Sequence, residues 1–135
     1  MDEEKQPTLI LVIEDDYKSL KLFKDLLEST GYRVLVAEEG HDALRILETE
    51  RPDLILMDII LPDMNGFDLL KLVKEKPENQ AIPVVAVTCL AMYDDRMQCL
   101  QAGFMEHIAK PISTTDFLKK IEGLLKYRKQ MKGEQ

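Results

Sequence analysis

The sequence has few of the residues that mark secreted, membrane-spanning or nucleotide-binding proteins. Its 135 residues include two cysteines, Cys89 and Cys99, too few and too irregularly placed for a disulfide framework. No apolar run approaches the roughly 20 residues of a membrane-spanning helix. The N-terminal segment MDEEKQP lacks the apolar core of a signal peptide. We therefore expect a protein of a reducing cytoplasm, without membrane association.

Glycine and positive charge are also scarce where nucleotide or nucleic-acid binding would need them. No glycines fall in a phosphate-loop or dinucleotide-binding spacing; they stand at Gly31, Gly40, Gly66, Gly103, Gly123 and Gly133. The net charge is -7, with +4 on the segment from Lys119 onward and -11 on the rest. Phosphate backbones are held by Lys and Arg, so this acidic body predicts no nucleic-acid partner.

What the sequence does contain is the composition of one globular domain. Charged residues make up 32% and apolar residues 45%, a mixture unlike that of disordered or fibrous chains. A chain of this length can bury a substantial core in one unit. We expect a single domain over residues 1–135, with loosely held ends at 1–7 and about 128–135.

Short apolar runs alternate with segments of helical spacing. The runs are nearly continuous in apolar residues, which is typical of strands covered on both faces; they are Leu9–Ile13, Val34–Ala37, Leu54–Met57, Val84–Val87 and, more weakly, Phe104–Ala109. Five helices are predicted between and after them, marked by apolar residues three and four apart. Five strands alternating with five helices predict an α/β fold, a doubly wound five-stranded parallel sheet.

Polar residues follow the ends of several predicted strands. Glu14 and Asp15 follow the first, Asp58 the third, Thr88 the fourth and Lys110 the fifth. Each has an ordinary explanation by itself, as a helix cap, a strand end or a solvated lysine. Carboxyl ends of parallel strands meet at one edge, however, where open α/β sheets bind their ligands. We therefore expect these side chains to converge.

The chemistry that suits this set is transfer of a phosphoryl group to a carboxylate. Asp58 would be the nucleophile that forms an aspartyl-phosphate. Several carboxylates close together favour a hard divalent cation, and Mg²⁺ would bridge Asp15, Asp58 and the phosphoryl oxygens. Lys110 would supply positive charge to those oxygens and Thr88 a hydroxyl donor. With no nucleotide cradle in the sequence, the donor would not be a bound nucleotide.

These motifs together resemble the receiver domain of bacterial two-component response regulators, a flavodoxin-like fold. The resemblance covers Leu9 to about Lys126; its motifs are VIEDD (12–16), LMDIILPDMNG (56–66), PVVAVT (83–88) and AKP (109–111). Within that family the chain is most similar to stand-alone members, in particular the DivK-type regulators of cell-cycle phosphorelays. Receivers of hybrid kinases share many of the same sequence motifs and remain the alternative assignment.

The resemblance implies the following assignments. Asp58 is phosphorylated from the phosphohistidine of a histidine kinase or phosphotransfer protein. Glu14, Asp15, Asp58 and the main-chain carbonyl of Ile60 form the Mg²⁺ site. The Lys110–Pro111 peptide bond is cis. Signalling proceeds by altered contacts with a downstream protein on the face made by the fourth helix, fifth strand and fifth helix.

One position departs from the family pattern. Receivers commonly carry Tyr or Phe three residues before the lysine, and here that residue is His107. We expect a half-buried imidazole filling the same slot, and the resemblance implies that it enters space vacated by Thr88 after phosphorylation. No metal-ligand spacing joins His107 to His41 or to the cysteines, so a zinc site is not predicted.

Two functions of other classes are the alternatives to this one. A phosphatase or dehalogenase-like enzyme would also use Asp58 as nucleophile. Such an enzyme would need a second acid at position 60, where this sequence has Ile60, and a cap domain, for which the chain is too short. A receiver-like interaction module that is never phosphorylated would have no need of the full set of Asp15, Asp58, Thr88 and Lys110. Both alternatives are therefore disfavoured.

Overall fold

The computed structural model describes residues 7–90 and 92–133. Five strands and five α-helices alternate along the chain: β1 (Leu9–Ile13), α1 (Tyr17–Ser29), β2 (Arg33–Ala37), α2 (Gly40–Ile46), β3 (Leu54–Met57), α3 (Gly66–Lys74), β4 (Val84–Thr88), α4 (Tyr93–Ala102), β5 (Glu106–Ala109) and α5 (Thr114–Gly133). A single turn of 3₁₀-helix, Pro77–Asn79, follows α3. Within these residues, no helix is both long and apolar enough to cross a membrane.

The five strands form one parallel sheet in the order β2-β1-β3-β4-β5. Every residue of β1, β3 and β4 is buried, which accounts for their continuous apolar sequence, since helices cover both faces. The strand order doubles back at β1 and β3, so the crevice for a ligand lies at the carboxyl ends of those two strands. The predicted fold class is confirmed.

Two apolar clusters cover the two faces of the sheet. On one face α1 and α5 pack against Ile10, Val12, Leu54 and Val85. There the rings of Phe23 and Phe117 stack with centroids 5.4 Å apart. On the other face the cluster is formed with α2, α3 and α4 and includes Leu11, Ile55, Leu69, Val73 and Cys99. Strand side chains alternate between these clusters, as the two-residue period of a strand requires.

Several strand boundaries differ from the sequence prediction by one or two residues. The fifth strand begins at Glu106 rather than Phe104, because Phe104 turns into the core and contacts Phe67 edge-on instead of pairing in the sheet. The fourth helix begins at Tyr93, with Met92 as its N-cap. Gly103 ends that helix in the left-handed region, with a φ of 115°, which glycine adopts without steric cost.

The ends of the chain were expected to be loosely held. Residues 1–6 and 134–135 lie outside the described part, so the expectation for them stays a prediction. Helix α5 continues through Gly133, and Arg128 Nη1 donates hydrogen bonds of 3.0 Å to both the carbonyl and a carboxylate oxygen of Asp53. Helical structure therefore extends into the C-terminal segment.

Candidate functional site

Main-chain hydrogen bonds fix the positions of two acids beyond neighbouring strand ends. The Glu14 N–H donates to the Ala37 carbonyl at 2.9 Å, and the Asp58 N–H donates to the Ile13 carbonyl at 3.0 Å. Strands β1 and β3 run in register up to that point, Ile13 opposite Met57. The side chains that follow therefore emerge side by side at the crevice.

Glu14, Asp15 and Asp58 form a cluster of carboxylates there. Each offers one oxygen, and these oxygens lie within 4.8 Å of one another. Glu14 is 1% exposed and Asp58 7% exposed, while Asp15 faces solvent. Carboxylate oxygens are the ligands that Mg²⁺ prefers, and an exposed third acid leaves room for water on the ion. The donor set fits a hard divalent cation.

Lys110 contacts two of these acids directly. Its Nζ donates to Glu14 Oε1 at 2.8 Å and to Asp58 Oδ2 at 3.1 Å. Its own N–H donates to the Thr88 carbonyl at 2.9 Å, and the peptide bond to Pro111 is cis. The ammonium group of Lys110 therefore lies next to Asp58, where it would contact any group bound to that carboxylate.

Burial and ion pairing perturb the ionisation of this group of residues. Burial raises the pKa of Glu14 to about 7, against the opposing effect of hydrogen bonds from Lys110 and from the Asp16 N–H. Burial acts to lower the pKa of Lys110, but its hydrogen bonds to Glu14 and Asp58 outweigh burial and raise it. One ammonium group faces two buried carboxylates, so the site has capacity for further positive charge.

The loop after β3 is closed tightly around Asp58. The Ile60 N–H donates to Asp58 Oδ1 at 3.1 Å, and the Gly66 N–H donates to the Ile59 carbonyl at 2.6 Å. A Cβ at residue 66 would lie 2.8 Å from Ile59 Cα and 3.0 Å from the Asp58 carbonyl oxygen. Ligation of an ion by the Ile60 carbonyl stays a prediction.

Thr88 is fully buried at the end of β4, and its Oγ1 accepts a hydrogen bond from the Leu90 N–H at 3.3 Å. His107 is 5% exposed, more deeply buried than expected. Its Nε2 lies 2.6 Å from the Leu90 carbonyl oxygen. The imidazole therefore lies in the interior, and its movement after phosphorylation stays a prediction.

Some contacts of the main chain, in the site and outside it, cannot be predicted from the sequence. Leu90 contributes through its main chain alone, which its side-chain type cannot reveal. Asp63 accepts hydrogen bonds from the N–H groups of Gly40 and His41 at 2.8 and 2.9 Å, and its Oδ2 lies 2.6 Å from His41 Nδ1. Glu39 lies beside them. The geometry of Asp63 is explained as a cap on the start of α2.

Comparison with known proteins decides the family. A model of the response regulator receiver domain matches residues 10–122. This chain belongs to the response regulator receiver family. It is 40% identical over 119 residues to the polar-differentiation response regulator DivK of Brucella anthropi, a match that covers 88% of this chain and 97% of that protein. DivK of Brucella ovis is also 40% identical, over 86% of this chain and 94% of its own length.

Solved receiver structures share the fold. A CheY-like receiver from Methanospirillum hungatei is 34% identical with a TM-score of 0.83, over 93% of this chain and 99% of the other. The receiver of a sensor histidine kinase from Pseudomonas aeruginosa is 31% identical with a TM-score of 0.81, over 89% and 98%. That structure has a magnesium ion coordinated in its active site cleft. The receiver assignment and its likeness to DivK are confirmed.

Proposed function

We propose that this receiver accepts a phosphoryl group on Asp58 from a phosphohistidine, with Mg²⁺ bound at Glu14, Asp15, Asp58 and the Ile60 carbonyl. The observation that carries the proposal is the pair of contacts from Lys110 Nζ to Asp58 Oδ2 and to Glu14 Oε1. A lysine that only stabilised the fold by an ion pair would need a single carboxylate as its partner. Here a single ammonium group bridges a buried acid and the proposed acceptor at the crevice where α/β sheets bind ligands.

The transfer step follows from this arrangement. A carboxylate oxygen of Asp58 forms a bond to phosphorus while the bond from phosphorus to the donor imidazole nitrogen breaks, and the bonding electrons leave with that nitrogen. The Ile60 N–H holds Asp58 Oδ1 in place, so Oδ2 is the oxygen that Lys110 contacts and that we assign as nucleophile. A bound Mg²⁺ would neutralise charge on the acids and the phosphoryl oxygens.

Lys110 and Thr88 then hold the modified side chain. The Lys110 ammonium group stands at hydrogen-bonding distance from Asp58 and can pass to a phosphoryl oxygen without a change of main-chain position. Thr88 supplies a hydroxyl from the neighbouring strand β4. We assign these residues to binding the product, and the chain to signalling rather than to turnover of a small-molecule substrate.

We infer that the signal leaves through protein contacts on the face formed by α4, β5 and α5. Met92 is 74% exposed at the start of α4 and Met105 is also exposed, while Met97 is half-buried. Methionine is frequent on adaptable binding surfaces, and exposed apolar side chains support a docking role. The upstream partner would be a histidine kinase or phosphotransfer protein. The free thiols of Cys89 and Cys99 support a cytoplasmic setting.

Phosphorylation of the purified protein tests the proposal. Incubation with acetyl phosphate and Mg²⁺ should add one phosphoryl group by mass, and Asp58→Asn should abolish the addition. Asp25→Asn, an exposed acid of α1 paired with Lys21, is the matched control and should be modified as the wild type is. Failure of the wild type, or modification that survives Asp58→Asn, would refute the assignment.

Transfer from proteins separates the two receiver contexts. A stand-alone regulator should take phosphate rapidly from separate kinases or phosphotransfer proteins of the source organism. A receiver of a hybrid kinase should prefer the kinase to which it belongs. Phosphotransfer profiles at short times, where kinetic preference is clearest, discriminate between them.

A further inference from the structure

The loop between β3 and α3, residues 58–65, carries the main-chain carbonyl of Ile60 that we propose as an ion ligand. The base of this loop is closed: the Gly66 N–H donates to the Ile59 carbonyl at 2.6 Å, and Ile60 pairs with Asn65 in an antiparallel bridge. Among the described residues, no main-chain N–H group donates to the Ile60 carbonyl, so its oxygen can bind an ion. The direction of that carbonyl depends on how the rest of the loop is held.

The tip of the loop is anchored to the start of α2 by one carboxylate. Asp63 Oδ1 accepts from the Gly40 N–H at 2.8 Å, and Asp63 Oδ2 accepts from the His41 N–H at 2.9 Å. The first N–H groups of a helix have no acceptor within the helix. Glu39, the N-cap of α2, makes no side-chain hydrogen bond to them. Asp63 therefore supplies, from another loop, the cap that Glu39 does not.

The anchoring carboxylate is held in its charged form. Burial acts to raise the pKa of Asp63, but hydrogen bonds from the N–H groups of Gly40 and His41 and from the His41 side chain outweigh burial and lower it. Hydrogen bonds to an ionised acceptor are about twice as strong as those between neutral groups. The anchor is therefore present throughout the neutral range of pH.

An apolar contact at the next residue reinforces this anchor. Met64 packs against Gly40 so closely that a Cβ added at residue 40 would lie 2.7 Å from Met64 Sδ and 2.8 Å from Met64 Cγ. Met64 is half-buried and also packs against the apolar cluster under α2, α3 and α4. Two consecutive residues of the loop thus contact the same glycine, Asp63 at its N–H and Met64 beside its Cα.

The start of α2 is itself fixed with respect to the carboxylate cluster. The Ala37 carbonyl, at the end of β2, accepts from the Glu14 N–H at 2.9 Å, and α2 begins three residues later. Ala43 of α2 and Leu47, its C-cap, are buried in the core. The connection from β2 to α2 therefore holds Glu14 on one side of the crevice and the loop with Asp63 on the other.

We propose that Asp63 is a positioning residue: its hydrogen bonds to the start of α2 fix the loop so that the Ile60 carbonyl is already placed for Mg²⁺ at Asp15 and Asp58. The inference rests on the proposed function, and it adds a residue that contacts neither the ion nor the phosphoryl group. A loop held in its bound conformation loses less conformational freedom when the ion binds. Anchoring therefore increases the affinity for Mg²⁺ without adding a ligand.

Three variants separate anchoring from charge. Asp63→Ala removes both acceptors, Asp63→Asn removes the charge but keeps one acceptor oxygen, and Asp42→Ala removes an acid in the first turn of α2 that pairs with Arg45. Titration with Mg²⁺ alone, followed by the amide resonances of Asp15 and Ile60, gives the dissociation constant. Asp63→Ala should raise it about fivefold, the effect of one ordinary hydrogen bond. Asp63→Asn and Asp42→Ala should stay within about twofold of the wild type.

Phosphorylation kinetics and hydrogen exchange distinguish positioning from a loss of stability. In Asp63→Ala the Mg²⁺ concentration that gives half the maximal rate with acetyl phosphate should rise by the same factor, while the rate at saturating Mg²⁺ stays within about twofold of the wild type. A folded variant that lacked only stability would keep the wild-type half-saturation. In the wild type, Mg²⁺ should slow hydrogen exchange of the Gly40 amide by up to about fivefold, because the coupling between two sites is reciprocal.

The outcomes distinguish this inference from the proposed function. Three results would overturn the positioning role: wild-type Mg²⁺ affinity in Asp63→Ala, equal losses in Asp63→Asn and Asp63→Ala, or a loss of the same size in Asp42→Ala. Mg²⁺ binding and phosphorylation of the wild type would still uphold the function in each case. A wild type that binds no Mg²⁺ would overturn both. Exchange of the Gly40 amide that Mg²⁺ leaves unchanged would contradict the anchor even if every variant failed to fold.

Discussion

Ile60 and Leu90 support the site through their main chains while their side chains face solvent. The Ile60 N–H binds Asp58 and the Leu90 N–H binds Thr88, yet the Ile60 side chain is 55% exposed and that of Leu90 is also exposed. Substitution of either side chain therefore leaves these hydrogen bonds in place, and by the family resemblance we expect both side chains to flank the path of a water molecule that attacks the phosphoryl group. Both side chains are apolar and cannot orient an attacking water molecule.

This arrangement predicts a long-lived phosphoryl group. Replacing Ile60 with Asn and Leu90 with Glu should speed hydrolysis by roughly 100-fold, the low end of what a positioned acid or base contributes. The measurement is decay of the phosphorylated protein after removal of the donor. Leu72→Asn, an exposed apolar position of α3, is the matched control. An unchanged or slower rate in the double variant would contradict this role of the apolar side chains.

The carboxylate cluster predicts stabilisation by Mg²⁺. An ion that binds the folded state alone adds about 1.4 kcal/mol at ten times its Kd, or about 5 °C in Tm for a domain of this size. Asp15→Asn should reduce the shift and Asp25→Asn should not. Thermal unfolding with and without Mg²⁺ measures it. Equal shifts in the wild type and Asp15→Asn would remove Asp15 from the site.

At the scale of elements, the sequence predicted which segments are strands and helices and where their polar ends meet. The continuous apolar runs were sufficient to predict β1, β3 and β4, because a strand that is buried on both faces must be apolar at every position. The start of β5 was wrong, because Phe104 is as apolar as a strand residue and only its packing shows that it precedes the strand. The types of the side chains were enough to predict that the acids and Lys110 converge. They cannot predict a main-chain contact such as that of the Leu90 carbonyl.

The turn from β3 to α3 has a steric requirement that can be measured. Gly66→Ala should destabilise the protein by about 1–3 kcal/mol, the usual cost of overpacking, because its Cβ would meet the main chain of Ile59 and Asp58. Gly123→Ala lies inside α5 with nothing within 4 Å of the added carbon, and it should stabilise by up to about 1 kcal/mol. Urea unfolding of both variants tests the contrast. Similar effects of the same sign would contradict it.

At the scale of the whole molecule, the edge of the sheet at the carboxyl ends of the strands and the edge at their amino ends are expected to have separate roles. The carboxyl edge carries the proposed acceptor, Asp58. At the opposite edge Asp53 accepts from the Leu9 N–H at 2.9 Å and from Arg128 of α5 at 3.0 Å. These contacts join the first strand, the start of the third and the last helix, so they contribute to stability at a distance from the chemistry.

Arg128→Met should therefore lower the free energy of unfolding by about 1 kcal/mol, a modest value since the Asp53 side chain is partly exposed. Asp53→Asn should have a similar effect, and the double variant should lose less than the two losses combined. Phosphorylation by acetyl phosphate should be unchanged in all three. A large loss of phosphorylation in a variant that remains folded would show that the two edges are coupled.

The stacked pair Phe23 and Phe117 has a consequence for how the chain folds during synthesis. One face of the sheet is closed by α1, near the start of the chain, and by α5, at its end. Every neighbouring strand pair is parallel, so no local hairpin can form first and each pairing must wait for a crossover. A nascent chain in which α5 is not yet available leaves that face open. We expect the domain to reach its native state only once α5 packs against α1 and the sheet, in one late and cooperative step.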